Sequence, residues 1–220
     1  MKKETKKPWP TKAAMTQIYE KKLWGGDTFV DFYSGTGSHD SEVITPYIDV
    51  VLTFLHSLDT PITVCDLGCG DFNVGKEFVA HTKKYYAIDI VESLIERNKI
   101  KFNATNLEFQ CLDIAKDTLP DGDCAIIRQV LQHLSNAEIQ KIVTKLSKYK
   151  YVIITEHVPK GAFTPNKDII SGQGIRLKKQ SGVHISAPPF NFKTKREKPL
   201  LITEKGVKQG IIVTTFYQVF

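Results

Sequence analysis

The chain has 220 residues, 41% hydrophobic, 25% charged and 10% aromatic, with a formal net charge of +6. That balance excludes a disordered or fibrous protein and predicts one globular domain with a sizeable core. No apolar run approaches the roughly 20 residues that span a bilayer, and MKKETKKPWP has no apolar segment behind its lysines, so the expectation is a soluble, cytoplasmic protein. The positive charge admits a polyanionic partner. It is spread over tracts such as Lys2 to Lys7 and Lys193 to Lys198, however, the pattern of solvated surface.

In chain order, the lysine-rich start reads as a disordered tail. WGGDTFVDFYSGTGSHD, Trp24 to Asp40, combines aromatic rings, glycines and hydroxyls, the composition of a lid over a ligand. Trp24, Tyr33, Ser38 and His39 are its candidates for contact. TPYIDVVLTFLHSL then reads as a helix. Residues 1–58 are expected to form an N-terminal helical and lid segment packed on a core of residues 59–220, within one structural domain.

Between Ile62 and Thr155 short apolar runs alternate with amphipathic ones, the mark of a parallel sheet wrapped by crossover helices. ITVCDL, YYAIDI, LEFQCLD, CAIIRQV and YVIITEH are the predicted strands. Val74 to Thr82, Val91 to Phe102 and Asn136 to Tyr149 are the helices, the last with Ile139, Ile142, Val143 and Leu146 on one face behind a Ser/Asn cap. Ile114 to Gly122 holds Pro120 and reads as a short helix or loop. Pro159 to Arg196 is a long basic excursion dotted with prolines, and PLLITE and GIIVTTFYQV predict an antiparallel pair closing the sheet. The cysteines, Cys65, Cys69, Cys111 and Cys124, show no C-x-x-C pattern and no histidine at ligand spacing, which predicts reduced thiols and no metal site.

The informative stretch is VCDLGCGDF, Val64 to Phe72. Gly68 and Gly70 begin a dinucleotide fingerprint, but Asn73 stands where its third glycine belongs. Asp66 and Asp71 flank the turn, and carboxylates there oppose pyrophosphate binding while suiting a ligand with positive charge. Asp89 ends the second strand, where it can accept from ribose hydroxyls. Asp113 ends the third, positioned for an exocyclic adenine amine. The pattern describes a nucleoside joined to a charged amino acid.

VCDLGCGDF, YYAIDI, CLDI and IIRQVLQHL together resemble the successive motifs of class I S-adenosylmethionine-dependent methyltransferases, over roughly Ile62 to Glu156. The resemblance implies a Rossmann-like α/β fold, a doubly wound, seven-stranded, mostly parallel sheet with an antiparallel last strand and helices on both faces. It implies S-adenosylmethionine as cofactor and S-adenosylhomocysteine as product. Asp66, Gly68 and Gly70 would surround the methionine moiety, Asp89 the ribose, Ile90 the adenine face, and Asp113 with Ile114 the adenine edge.

Methyl transfer from a sulfonium needs chiefly a well-placed nucleophile, with a base to take a proton from a hydroxyl or ammonium acceptor. The carboxyl ends of the strands offer Arg128, Gln129, His133, Glu156 and His157. His133 is the first candidate base, Glu156 and His157 the others, and Arg128 is expected to meet the cofactor carboxylate or the substrate. Arg176, with Lys178 and Lys179, would favour an acidic acceptor. The expected reaction is methylation of an oxygen or nitrogen of a small-molecule acceptor. IRQV replaces the Asp/Asn-Pro-Pro-aromatic signature of enzymes that methylate base amines, so nucleic-acid methylation is an alternative, as is a non-catalytic cofactor-binding module. Oligomeric state is left open.

Overall fold

The computed structural model describes residues 9–26, 31–207 and 209–220. In chain order the elements are α1 (Thr11–Glu20), α2 (Ser41–His56), β1 (Thr63–Leu67), β2 (Lys84–Asp89), α3 (Glu92–Lys101), β3 (Leu107–Cys111), β4 (Cys124–Arg128), α4 (Asn136–Leu146), β5 (Tyr151–Val158), β6 (Arg196–Thr203) and β7 (Ile211–Gln218). The strands form one sheet in the order β3-β2-β1-β4-β5-β7-β6. Neighbours from β3 to β5 are parallel, and β7 runs antiparallel to β5 and β6. This is the predicted fold class, with the predicted C-terminal pair in place.

Alternation along the strands divides the core into two layers. Cys65, Leu67, Ile127, Val152 and Ile154 pack on one face with Ile139, Ile142 and Leu146 of α4. Val64, Ile126 and Ile153 pack on the other with Tyr47, Val51 and Leu55 of α2. Ser135 caps α4 in a reciprocal capping box with Glu138. Asp40 accepts from Glu42 N and starts α2 at Ser41, four residues before the predicted run begins.

Two expectations need correction, and a third, open between a short helix and a loop, resolves as a loop. Val74 to Thr82 is not an α-helix but two 3-10 turns, Gly75–Glu77 and Val79–His81. Phe72, at φ 63°, plunges into a cluster with Tyr85, Phe102 and Phe109, and the few residues left are too short for a cooperative helix. Thr11–Glu20 forms a helix that the sequence reading passed over, although Met15, Ile18 and Tyr19, spaced for one helical face, are its buried residues. Ile114 to Gly122 carries neither helix nor strand; Lys145 and Lys148 donate to its carbonyls instead.

The 159–192 excursion contains one 3-10 turn, Arg176–Lys179, yet it is packed: Val183, Ile185, Phe190 and Phe192 are buried in the α4-side core. Pro199 sits in the edge strand β6, beside a register shift, where a missing N–H is tolerated. The four cysteines are free thiols. The lysine-rich start and residues 27–30 of the predicted lid lie outside the described residues.

Candidate functional site

A cavity of about 410 Å³ opens at the carboxyl ends of β1, β2 and β4. Its floor is the glycine loop. Gly68 has φ 101°, and a Cβ there would collide with Val130, so the turn after β4 seats directly on the loop. Gly70, at φ 56°, faces the Oγ of Ser34, which a Cβ would meet at 2.5 Å. Both glycines are therefore contact points for the chain above them.

Four acids surround this floor with different duties. Asp66 accepts from Tyr85 Oη at 2.9 Å, and burial pushes its carboxyl up to about 7. Asp89 accepts from Gly70 N at 3.1 Å and Val91 N at 3.0 Å; burial raises its pKa too, against the pull of these amides. Asp113 accepts from Ala115 N and pairs with Lys116. Asp89 and Asp113 thus each brace the turn they begin while lining the cavity. Asp71 also lines it, but Oδ2 accepts from Ser34 N at 2.9 Å and meets His39 Nε2 at 2.6 Å, and Oδ1 accepts from Asn73 N. The charge of Asp71 is spent on the lid, which narrows the electrostatic argument for a cationic ligand to Asp66 and Asp89.

The roof comes from α1 and the described part of the lid. Tyr19 Oη bonds Ser34 Oγ at 3.0 Å, and its ring packs edge-on against Trp24. Glu138 lines the cavity and holds Thr11 of α1 and Ser171 of the excursion. Arg128 donates to Ser38 Oγ and Gly37 O, leaves Nε buried without a partner, and lies over the Tyr47 ring at 4.8 Å.

The turn after β4 carries His133. Its ring lies 5.2 Å from that of Trp24; Nδ1 is 3.2 Å from Gly172 O, and Nε2 is 3.3 Å from Gln132 Nε2. Gln132 Oε1 accepts from His157 N, which turns the amide N–H towards His133. The partners assign the ring proton to Nδ1 and the lone pair to Nε2. Burial drives the imidazole down to about 4, so it is neutral near pH 7.

The cavity gathers Trp24, Ser38, Asp66, Gly68, Gly70, Asp89, Ile90, Asp113, Ile114, Arg128 and His133 from among the sequence candidates. Tyr33 and His39 stand behind the wall, stacked at 4.4 Å. Glu156, His157 and Arg176 do not line it. Glu156 Oε1 accepts from Leu131 N, and His157 directs its ring to Gln209 O. Arg176 is 1% exposed and donates to the carbonyls of Leu131, Gln132, Leu134 and Lys167 and to Asn136 Oδ1. A guanidinium so engaged braces the His133 turn and has no donor left for a substrate. Gln129, one of the strand-end candidates, also lines the cavity, and so do Tyr19, Gln132 and Glu138, which had not been singled out as candidates for contact; only the helical spacing around Tyr19 signalled one of these three.

A family model described as a methyltransferase domain matches residues 64–149. Among solved structures, N-methyltransferase NodS from Bradyrhizobium japonicum WM9, in complex with S-adenosylhomocysteine, is similar at 10% identity and TM-score 0.65, covering 93% of this chain and 98% of that one. Magnesium protoporphyrin IX methyltransferase from Synechocystis PCC 6803, with S-adenosylmethionine bound, is similar at 17% identity and TM-score 0.59, covering 97% and 100%. Human N-acetylserotonin methyltransferase, also with S-adenosylmethionine, is 16% identical at TM-score 0.58, with 96% of this chain and 60% of that one covered. No curated protein sequence matches. At these identities the structural likeness concerns the fold; the domain match concerns residues 64–149. The matched segment contains the glycine loop and Asp66, Asp89 and Asp113 at successive strand ends, so the chain carries a stretch similar to a methyltransferase domain within a fold similar to those of solved methyltransferases.

Proposed function

We propose that this chain transfers the methyl group of S-adenosylmethionine to an oxygen or nitrogen atom of a small-molecule acceptor, with His133 as the general base. The observation that carries this reading is the neutral imidazole of His133 on the cavity wall, with its lone pair on Nε2, where the Gln132 amide N–H at 3.3 Å is the contact that an acceptor has to replace. Cavity and cofactor are compatible in chemistry. Asp89 is buried at the end of β2 with its carboxylate available to ribose hydroxyls, and Arg128 holds a buried, unpartnered Nε at the cavity, a donor suited to a carboxylate. Gly68 and Gly70 bring the backbone close to the methionine moiety, Ile90 faces the adenine ring, and Asp113 with Ile114 meets its edge.

The bound sulfonium supplies an activated methyl group whose leaving group departs without protonation. The remaining work falls to the chain. α1, Trp24 and residues 34–38 line the cavity beside the glycine loop, and His133 accepts the proton that a hydroxyl or ammonium acceptor must lose. Trp24 and Ser38 border the acceptor's side. Arg176 has no free donor, so it does not favour an acidic acceptor over a neutral one.

The test is calorimetric titration with S-adenosylmethionine, S-adenosylhomocysteine and NAD, followed by transfer of labelled methyl to a small-metabolite extract and to RNA. Micromolar binding of the first two ligands, with label entering the small-molecule fraction only, is the expected result. Label in RNA would overturn the acceptor class, and absence of binding would overturn the site.

A further inference from the structure

The 159–192 excursion and the adjoining face of β5, β7 and β6 enclose a second cavity of about 320 Å³, which shares no lining residue with the first. Its walls are apolar, with Ile154 and Val158 on β5, Val213 on β7, and Val183 and Ile185 on the excursion. Its charged lining is one-sided: Glu156 and Glu197 with His184, and no lysine or arginine, in a chain of net charge +6.

Glu156 is the centre of this arrangement. On β5 it shares a face with Ile154 and Val158, and it is only 3% exposed. Oε1 accepts from Leu131 N at 3.1 Å, whereas Oε2 has no well-formed hydrogen bond among the described residues, the Gln132 backbone N–H acting on the carboxyl from nearby. Burial pushes the Glu156 carboxyl up to about 8 against the nearby charge of Arg176, with which, among the described residues, it forms no ion pair. Glu197, at the other end of the lining, is taken by His184 Nε2 at 2.9 Å and by Ser186 Oγ. A buried carboxyl oxygen without a donor is costly, and an apolar cavity beside it is the usual form of a small-molecule site.

We propose that this second cavity binds a small organic cation, a primary or secondary amine on an apolar body. Its N–H group donates to Glu156 Oε2, and its hydrocarbon part rests on Ile154, Val158, Val183 and Ile185. Phe163 and Tyr217 add aromatic lining that suits a cation. An ammonium favours the ionised form of Glu156 and gains a charge-assisted bond, whereas a carboxylate opposes that ionisation and a neutral alcohol forms only an uncharged bond, so charge sets the preference. The other oxygen of Glu156 holds the turn that carries His133, which links occupancy of this cavity to the methyl-transfer site. Only that link rests on the function proposed above.

The experiment titrates the full chain with 2-phenylethylamine, 2-phenylethanol and 3-phenylpropanoate, with and without S-adenosylhomocysteine, so that failure here is distinguishable from failure of the cofactor reading. The amine is expected to bind about tenfold more tightly than the alcohol and the carboxylate. Glu156→Gln, which retains an acceptor for Leu131 N, removes that preference. Val213→Trp, opposite Glu156 on β7, fills the cavity and abolishes amine binding while leaving the Glu156 carboxyl chemically intact, and S-adenosylhomocysteine still binds. Equal binding of amine and alcohol, a preference that survives Glu156→Gln, or amine binding unchanged in Val213→Trp would each overturn the proposal.

Discussion

Asp71 Oδ2 lies 2.6 Å from His39 Nε2 and accepts from Ser34 N as well, so an acid of the glycine loop fastens the lid. Ser34 Oγ returns the contact by accepting from Asp71 N at 2.8 Å. The glycine loop and residues 34–39 above it are therefore one hydrogen-bonded unit.

Asp71→Ala is expected to loosen this unit and weaken S-adenosylhomocysteine binding tenfold or more, the effect of losing hydrogen bonds to a charge worth about 1.5–3 kcal/mol. Asp71→Asn, which keeps one acceptor, should recover part of the loss. Calorimetric dissociation constants decide this, and an unchanged value in folded Asp71→Ala would detach the lid from cofactor binding.

Asp89→Ala should cost more cofactor affinity than any other single change in the site. Its carboxylate faces the cavity while also accepting from Gly70 N and Val91 N. We expect roughly a hundredfold weaker S-adenosylmethionine binding with the far-ultraviolet dichroism of the folded protein retained. Full affinity in such a variant would show that the ribose is held elsewhere.

His133 gives a pH signature. Its folded pKa is depressed from 6.5 to about 4, so the fold favours the neutral ring. The associated stability is present above pH 6.5 and is lost as pH falls towards 4. Melting temperatures measured from pH 7 to 4.5 should drop more steeply in the wild type than in His133→Asn. The basic limb of methyl transfer attributable to this imidazole should already be complete at pH 5, whereas a limb near 6.5 would indicate an ordinary, solvated histidine.

Arg176→Ala removes the donors that tie the His133 turn to the excursion. Leaving those buried carbonyls unpaired should destabilise the protein by about 3 kcal/mol or more in urea. Arg176→Lys should rescue little, because one ammonium cannot span the same set of acceptors. If either variant lost acceptor affinity at unchanged stability, Arg176 would be a substrate residue after all.

The sheet and its binding edge were legible in the sequence for local reasons. ITVCDL, YYAIDI, CAIIRQV and YVIITEH carry apolar and β-branched residues that fit only strands covered on both faces, and each meets its helix or turn at an acid, glycine or polar residue. Gly68, Gly70, Asp89 and Asp113 follow from those boundaries, since a residue at the carboxyl end of a parallel strand enters the crevice whatever else the chain does. Tertiary structure alone decided what the long side chains touch. Arg176 looked like a substrate arm, yet the excursion folds back and buries it among carbonyls. Asp71 looked like a ligand contact until Ser34 and His39 arrived from thirty-odd residues away. Glu156 sits at the correct strand end but on the face that looks into the second cavity. Strand position is fixed by local pattern; the partner of a buried charge is fixed by whichever distant segment satisfies it, and no short stretch of sequence contains that segment.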